Sequence, residues 1–336
     1  MRPPPIRVSE WMVGGSLLLM LGIYVQTDSW NRMKLLDSQA AYHPLLVVVL
    51  TVAIFQAARI NVILLRKLAS SFNGATEAPD RDPRRFTEEL ASIRGSFAIL
   101  RDFAPFCAVI FLYPASEFVV ATLRGDTRMD GLLIEAELGL FGGHLSVWME
   151  RFISPGLTDV MNFCYVFHTL IPVLVLSFLC IFRSRAESVE GFEGFVSMFL
   201  MGLVLYVLVP ATGPMHAMAS DYQRDLSGGI ITDLSRAAIA ATRVPRDAFP
   251  SLHVGISALM LVYAWRSSRW FGLLLLPVIV GNWISTVYLR YHYVIDVVAG
   301  FVLVPIAYQI GQWGRRRNGL DVRSGGEVPG ETSATV

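Results

Sequence analysis

A chain of 336 residues that offers about eight stretches of mostly apolar residues, several of them near the length of a membrane span, has few ways to fold. A bilayer core of about 30 Å is crossed by roughly 20 helical residues. Helix is the only open-chain solution there, because every backbone polar group in hydrocarbon must bond within its own segment. The stretches cover approximately 11–27, 43–65, 97–123, 157–182, 194–211, 252–265, 271–288 and 294–313. Composition supports the same reading. The chain is 54% hydrophobic and 16% charged, against about 25% charged in ordinary soluble domains. The expected fold class is all-α: a polytopic membrane helical bundle, with a six-helix core at 98–313 behind two N-terminal spans and a loop at 1–97. The polar remainder, 314–336, reads as a disordered cytoplasmic tail. The first apolar run follows Arg2 and Arg7 without a clear cleavage pattern, so it reads as an uncleaved span.

Net charge is +1, which gives no reason to expect a nucleic-acid partner. Cys107, Cys164 and Cys180 lie in apolar stretches with no CxxC pair, and read as small core residues.

Basic residues fall on alternate connections. Arg66, Lys67, Arg81, Arg84, Arg85 and Arg94 precede the third stretch; Arg183 and Arg185 follow the fourth; Arg266 and Arg269 follow the sixth; Arg315, Arg316 and Arg317 end the last. The positive-inside rule puts these connections and both termini in the cytoplasm. Trp265, Trp270 and Trp313 fit the inner interface. The segment 76–83 reads as an inner loop. Residues 124–155 and 212–249 then face outside. Within the first, 132–149 reads as an interfacial amphipathic helix. The second is a loop rich in turn residues, with Arg224, Arg236, Arg243 and Arg246.

Two stretches carry chemistry, and the topology brings both to the outer face. The first runs Arg246-Asp247-Ala248-Phe249-Pro250-Ser251-Leu252-His253. Pro250 suits the first position of a helix. Ser251 and His253 then lie in a first turn whose free N–H groups favour a phosphate oxygen, and His253 can give or take a proton near neutrality. The second runs Tyr288-Leu289-Arg290-Tyr291-His292-Tyr293-Val294-Ile295-Asp296. On a helix, His292 and Asp296 share a face. A carboxylate on one imidazole nitrogen fixes the tautomer and leaves the other as nucleophile or base. The pair could equally be half of a metal site, but a zinc site needs three or four ligands, and His216 is the one further candidate nearby. Arg246 and Arg290 can bind phosphate in a forked manner or snorkel to lipid headgroups.

Phe-Pro-Ser-Leu-His followed about forty residues later by His-Tyr-x-x-Asp resembles the type 2 phosphatidic acid phosphatase superfamily, and within it the branch of fungal inositol phosphorylceramide synthases. The segment Val209-Pro210-Ala211-Thr212-Gly213-Pro214 is similar too, and the resemblance covers roughly 98–313. It implies that His292 attacks phosphorus to give a phosphohistidine, that Asp296 orients His292, that His253 serves as acid and then base, and that Ser251 donates to phosphate. It implies no metal and no cofactor. The phosphatase branch carries an arginine six residues before its nucleophilic histidine, where this chain has Thr286, and a lysine-and-arginine motif where 206–215 has no basic residue. Arg290, Arg246 and Arg243, with Asp247 and Gly213 beside them, are therefore the expected phosphate-binding set.

The expected function is a membrane lipid phosphotransferase, moving a phosphoryl-linked headgroup, with inositol phosphate as one candidate, from a phospholipid donor to a lipid alcohol. Hydrolysis of a lipid phosphate or polyprenyl diphosphate, with water as acceptor, shares the first half-reaction. A non-catalytic transporter or scaffold is the reading of another class, with Asn282, Glu117 and Arg101 as its intramembrane polar groups.

Overall fold

A computed structural model of the chain describes residues 7–26 and 93–318. The expected span at 43–65, the 76–83 loop and the tail beyond 318 lie outside the described residues. Within them the structure is helical, with no strand. In chain order the helices are α1 (Val8–Gln26), α2 (Ile93–Arg124), α3 (Asp130–Phe141), α4 (Leu145–Trp148), α5 (Pro155–Phe167), α6 (Leu170–Phe182), α7 (Arg185–Leu208), α8 (Pro214–Ala217), α9 (Ile230–Thr242), α10 (Leu252–Ser267), α11 (Arg269–Tyr288) and α12 (Val294–Arg317), with short 3₁₀ turns at Met149–Phe152 and Ala219–Asp221.

Among the described residues, four helices are long and apolar enough to cross a bilayer: α2 over Phe103–Arg124, α7, α11 and α12. The pair α5 and α6, bent by 45° at a short break, is long and apolar enough to be a fifth, broken span or a re-entrant loop. The chain is an integral, multi-pass membrane protein. The stretch expected as the sixth span is instead α10, only 16 residues long. Serines set both its limits. Ser251 caps its start, accepting from Val254 N at 3.4 Å. At its end Ser268 donates its backbone N–H to Ala264 and then caps α11, accepting from Phe271 N at 3.3 Å. One residue thus closes one helix and opens the next.

The stretch expected at 194–211 starts much earlier, at Arg185. Ser184 and Glu187 form a capping box there, with each side chain bonded to the other's backbone N–H at 3.3 and 3.0 Å. The acidic residues that follow find partners, which lets the helix continue among apolar neighbours. Glu190, 1% exposed, pairs with Arg266 at 2.6 Å and Arg315 at 2.8 Å. Glu193 accepts from the backbone and hydroxyl of Ser9 at 2.6 and 3.1 Å. Farther along the same end of the bundle, Arg101 pairs with Glu10.

Helix α7 is the most buried span and packs on α12, α2 and α10. Lipid tails are as apolar as leucine, so close packing rather than burial from water holds such helices together. Phe103 of α2 meets Phe192 edge-on at 4.9 Å, and Phe106 meets Phe195 at 4.8 Å. On α12, a Cβ at Gly300 would stand 2.6 Å from the Ser251 carbonyl. Glycine there lets α12 lie directly against the start of α10, and the Asp296 carbonyl accepts from Ser251 N at 3.0 Å.

A cap of short elements covers that end. The expected amphipathic helix over 132–149 is divided into α3 and α4, and its polarity is turned outward. Asp130, Leu133 and Glu137 are buried, while Leu132, Leu138, Leu140 and Phe141 are exposed. Glu135 is exposed beside these leucines, so the helix presents a mainly apolar outer face and turns two of its carboxylates inward. The loop expected at 212–249 contains α9. Its N-terminus is held by Asp159 of α5, which accepts from Gly229 N at 2.9 Å, Thr232 N at 3.0 Å and the Thr232 hydroxyl at 2.6 Å.

Candidate active site

Residues from the two chemical stretches meet where α10 and α12 begin. Pro250 lies one residue before the N-cap Ser251, not inside the helix as its position suggests, and the Phe249–Pro250 bond is cis. His253 occupies the first turn of α10. A polar layer beneath holds its backbone: its carbonyl accepts from Asn282 at 3.0 Å and from the Ser257 hydroxyl at 2.6 Å, and Asn282 and Trp283 also donate to Ser257 at 3.1 and 2.9 Å. Asn282, expected as a possible transport group, is thus an anchor of His253.

His292 precedes α12, and Tyr293 is its N-cap. The helical spacing that suggested a His–Asp pair is therefore not what joins them. Asp296 sits at the third helical position and reaches back, accepting from Tyr293 N at 2.8 Å. That places Oδ2 3.5 Å from His292 Nδ1. A closer partner of Nδ1 is the Ala248 carbonyl, at 2.7 Å. A carbonyl only accepts, so Nδ1 carries the hydrogen and Nε2 presents a lone pair. The tautomer expected to be set by Asp296 is thus set first by backbone, with the carboxylate at ion-pair distance. Nε2 stands 3.4 Å from His253 Nδ1. Asp296 is fully buried, and its Oδ1 has no hydrogen bond among the described residues. An uncommitted buried oxygen costs stability, and beside an imidazole that gains positive charge it becomes useful.

The expected phosphate-binding set separates. Arg290 lies 8% exposed, with its guanidinium 2.8 Å from Glu150, 2.5 Å from the Arg224 carbonyl and over the Tyr222 ring at 3.9 Å. Its φ of 66° is left-handed, a costly conformation for a side chain other than glycine or asparagine. Its carbonyl accepts from Met215 N at 2.7 Å. These bonds make Arg290 a clamp on the cap. Arg246 is bound to Glu117 at 2.5 Å and to the Gly125 carbonyl. Gly213 has a φ of 87°, and a Cβ there would stand 2.3 Å from the Tyr291 carbonyl. Its N–H, with that of Thr212, could have cradled an anion. Both are filled from within, by Asp130 at 2.9 and 3.0 Å, which also accepts from the Tyr293 hydroxyl at 3.0 Å. Ser251 is fully buried as the α10 cap.

Arg243 and Asp247 remain beside the histidines. Among the described residues Arg243 has no carboxylate partner, and its bond runs to the Thr212 carbonyl at 3.3 Å. It lies near enough to act electrostatically on Asp247 and Tyr291. Asp247 accepts from the Tyr113 hydroxyl. Burial pushes its carboxyl above the usual carboxylate range, against the opposing pull of Tyr113, His292 and Arg243. His216, half-exposed on α8, is pushed below the ordinary histidine range by burial and by the cations Arg243 and Arg128. Among the described residues, no three His, Cys, Asp or Glu side chains are grouped as a metal site.

Several participants carry no motif. Glu137 accepts from Val294 N at 2.7 Å and bonds His144 at 2.8 Å, so it caps α12 from α3. Tyr165 stacks on His253 at 4.3 Å, and His168 lies 4.0 Å from the same ring. The signal available for His168 was an ionisable residue in the middle of the apolar run 157–182. That run is where α5 breaks from α6.

Residues 132–310 match the PAP2 superfamily. That span includes both histidines, Asp296 and the elements that hold them. A phosphoinositol dihydroceramide synthase of Bacteroides thetaiotaomicron is 28% identical over 160 residues, a match covering 43% of this chain and 52% of that protein. No solved structure matches the chain. With more than half of its length matched, including the paired histidines at the heads of α10 and α12, the chain belongs to the PAP2 superfamily.

Proposed function

We propose that this protein is a lipid phosphotransferase that moves a phosphoryl-linked headgroup, inositol phosphate in the first instance, from a phospholipid to a lipid alcohol. The observation that carries this is the pair of facing imidazoles, with His292 Nε2 freed by the Ala248 carbonyl and set 3.4 Å from His253. Nε2 attacks phosphorus, forming a P–N bond as the P–O bond to the diacylglycerol breaks. His253 gives its proton to the departing oxygen. In the second half the acceptor hydroxyl loses its proton to His253, its oxygen bonds phosphorus, and the P–N bond breaks. Asp296 balances the charge on His292 in the covalent state. The similarity to the phosphoinositol dihydroceramide synthase supports a headgroup transferred intact. Thr286 stands where the phosphatase branch has arginine, but it is fully buried and donates to the Trp283 carbonyl at 2.7 Å. The charge that meets the phosphate is then assigned to Arg243, joined by the free N–H groups of the first turn of α10.

The test is the purified protein in vesicles containing radiolabelled phosphatidylinositol, with and without a long-chain alcohol, read by chromatography and mass spectrometry. A new phosphoinositol lipid is the expected product. Release of inositol phosphate or phosphate alone, whatever alcohol is supplied, would replace transfer by hydrolysis. In the same assay Arg243→Ala should raise the KM for donor roughly tenfold or more, the cost of losing one charge-assisted contact. Unchanged donor kinetics would move the phosphate contact elsewhere.

We also place the histidine end of the bundle on the extracytoplasmic side, with both termini inside, on the distribution of arginines. A cysteine at exposed Ser220, in a protein lacking Cys107, Cys164 and Cys180, should react with an impermeant maleimide added to intact cells. Labelling only after the membrane is opened would reverse the assignment.

A further inference from the structure

Helix α9 turns its polar side inward and its apolar side outward. Thr232 and Ser235 are buried, while Ile230 and Leu234 are 75% and 66% exposed, with Ile231 and Ala237 exposed beside them. At 3.6 residues per turn, Thr232, Ser235 and half-buried Ile239 share one side of the helix, and Ile230, Leu234 and Ala237 share the opposite one. The exposed Asp233 and Arg236 fall on a flank between the two. The inner side is committed to α5: the Thr232 hydroxyl donates to Asp159 at 2.6 Å and accepts from Asn162 at 3.3 Å. In water the outer side would be an unfavourable arrangement, since an exposed apolar face of this kind marks a surface that meets lipid or another protein.

Three neighbours identify which. On α5, Asp159 and Asn162 border the exposed stripe Val160, Phe163 and Val166, the side that helix turns to lipid. The outer side of α9 continues that stripe. Helix α11 sets the depth. It starts at the arginine end of the bundle, and its 20 residues rise about 30 Å, the thickness of the hydrocarbon. Its last residue, Tyr288, therefore marks the far boundary, and tilt only sets it deeper. The Tyr288 hydroxyl is 3.0 Å from that of Thr158, the residue before Asp159, so α9 starts at the edge of the hydrocarbon. Beside it, Met149 shares a cluster with Ile239, and the adjoining Trp148 and Phe152 are exposed, with Arg151 over the Trp148 ring at 4.6 Å. Tryptophan is enriched at that level of a membrane. We propose that α9 lies in the membrane interface at the histidine end of the bundle, with Ile230, Ile231 and Leu234 set among the lipid chains. A free-standing interfacial helix shows its polar side to water; α9 gives its polar side to α5. The helix ends on Arg243, so a seat at this depth also holds that guanidinium near the level of lipid phosphates. The seat does not depend on which reaction the site performs.

The test is nitroxide spin labelling of the full chain, lacking Cys107, Cys164 and Cys180, in phosphatidylcholine vesicles. Single cysteines are placed by Ile230→Cys, Ile231→Cys and Leu234→Cys, with Phe163→Cys as the lipid reference and Ser220→Cys as the water reference. These side chains are all exposed, so the labels disturb little packing, and three positions are read so that one ill-behaved variant does not decide the outcome. Collisions with oxygen, which concentrates in lipid, are compared with collisions with a water-soluble nickel chelate. Labels on α9 should favour oxygen, as at Phe163, and report a depth of about 5–10 Å into the boundary between headgroups and chains. The label at Ser220 should favour nickel. Nickel reaching the α9 positions as readily as Ser220 overturns the proposal and puts the face in water. Exclusion of both reagents also overturns it, since the face is then covered by protein, either a second copy or another chain.

Discussion

His292→Ala is expected to reduce turnover by roughly 10⁴-fold or more, since loss of a covalent nucleophile leaves only binding and electrostatic stabilisation. The variant should still fold. His292 makes one short hydrogen bond, to the Ala248 carbonyl, and the helix it precedes is capped by Tyr293, Asp296 and Glu137 without it. Two measurements are needed together: turnover of labelled phosphatidylinositol, and capture of an acid-labile phosphorylated protein after rapid quenching. Wild type should give both signals and His292→Ala neither. A variant with the wild-type melting profile and near wild-type turnover would remove His292 as nucleophile and with it the covalent route. Asp296→Asn should lower the rate less, because the backbone carbonyl still holds the tautomer.

The largest effect on stability is expected at Asp130. Its buried carboxylate serves the N–H groups of Thr212 and Gly213 and the Tyr293 hydroxyl. Asp130→Ala would leave three donors without this partner, two of them buried, at about 1–3 kcal/mol for each buried one. A loss of about 3 kcal/mol should lower the melting temperature in detergent by roughly 4 °C, given the length of the chain. Asp130→Asn keeps one acceptor oxygen and should lose less. A melting temperature for Asp130→Ala within about one degree of wild type would show that these donors are met some other way. The site should suffer too, because Gly213 packs on Tyr291, next to His292.

How much of this was legible in the sequence follows from the range of each signal. Spans such as 271–288 and 294–313 are local composition, and the structure returns them almost unchanged. The head of α7 was missed because Glu187, Glu190 and Glu193 look too polar to be buried. Glu187 is met locally, by Ser184 and Arg183, but the partners of Glu190 and Glu193 come from elements distant in sequence: Arg266, Arg315 and Ser9. The convergence of His253 and His292 was legible, because two motifs and a helix count suffice to bring them to one face. The fate of the arginines was not. A sequence shows that Arg290 and Arg246 are near the motifs, but not that Glu150 and Glu117 reach them first. The same applies to Gly213, whose N–H is bonded to a residue 83 positions away. His168 was hidden for the opposite reason: it lies within an apolar run whose bend the periodicity does not reveal.

The brevity of α10 has a consequence for where the lipid meets the protein. Sixteen residues rise only about 24 Å, roughly 6 Å less than the hydrocarbon is thick. If Trp265 and Trp270 mark one boundary at its far end, His253 at the near end stands below the opposite boundary, sunk within a leaflet. A bilayer thins locally against a segment shorter than its hydrocarbon, which brings the phosphate of a membrane-anchored glycerol down toward that depth. Donor and acceptor can then react while their chains stay in the bilayer, and the protein need not draw a whole lipid out into water.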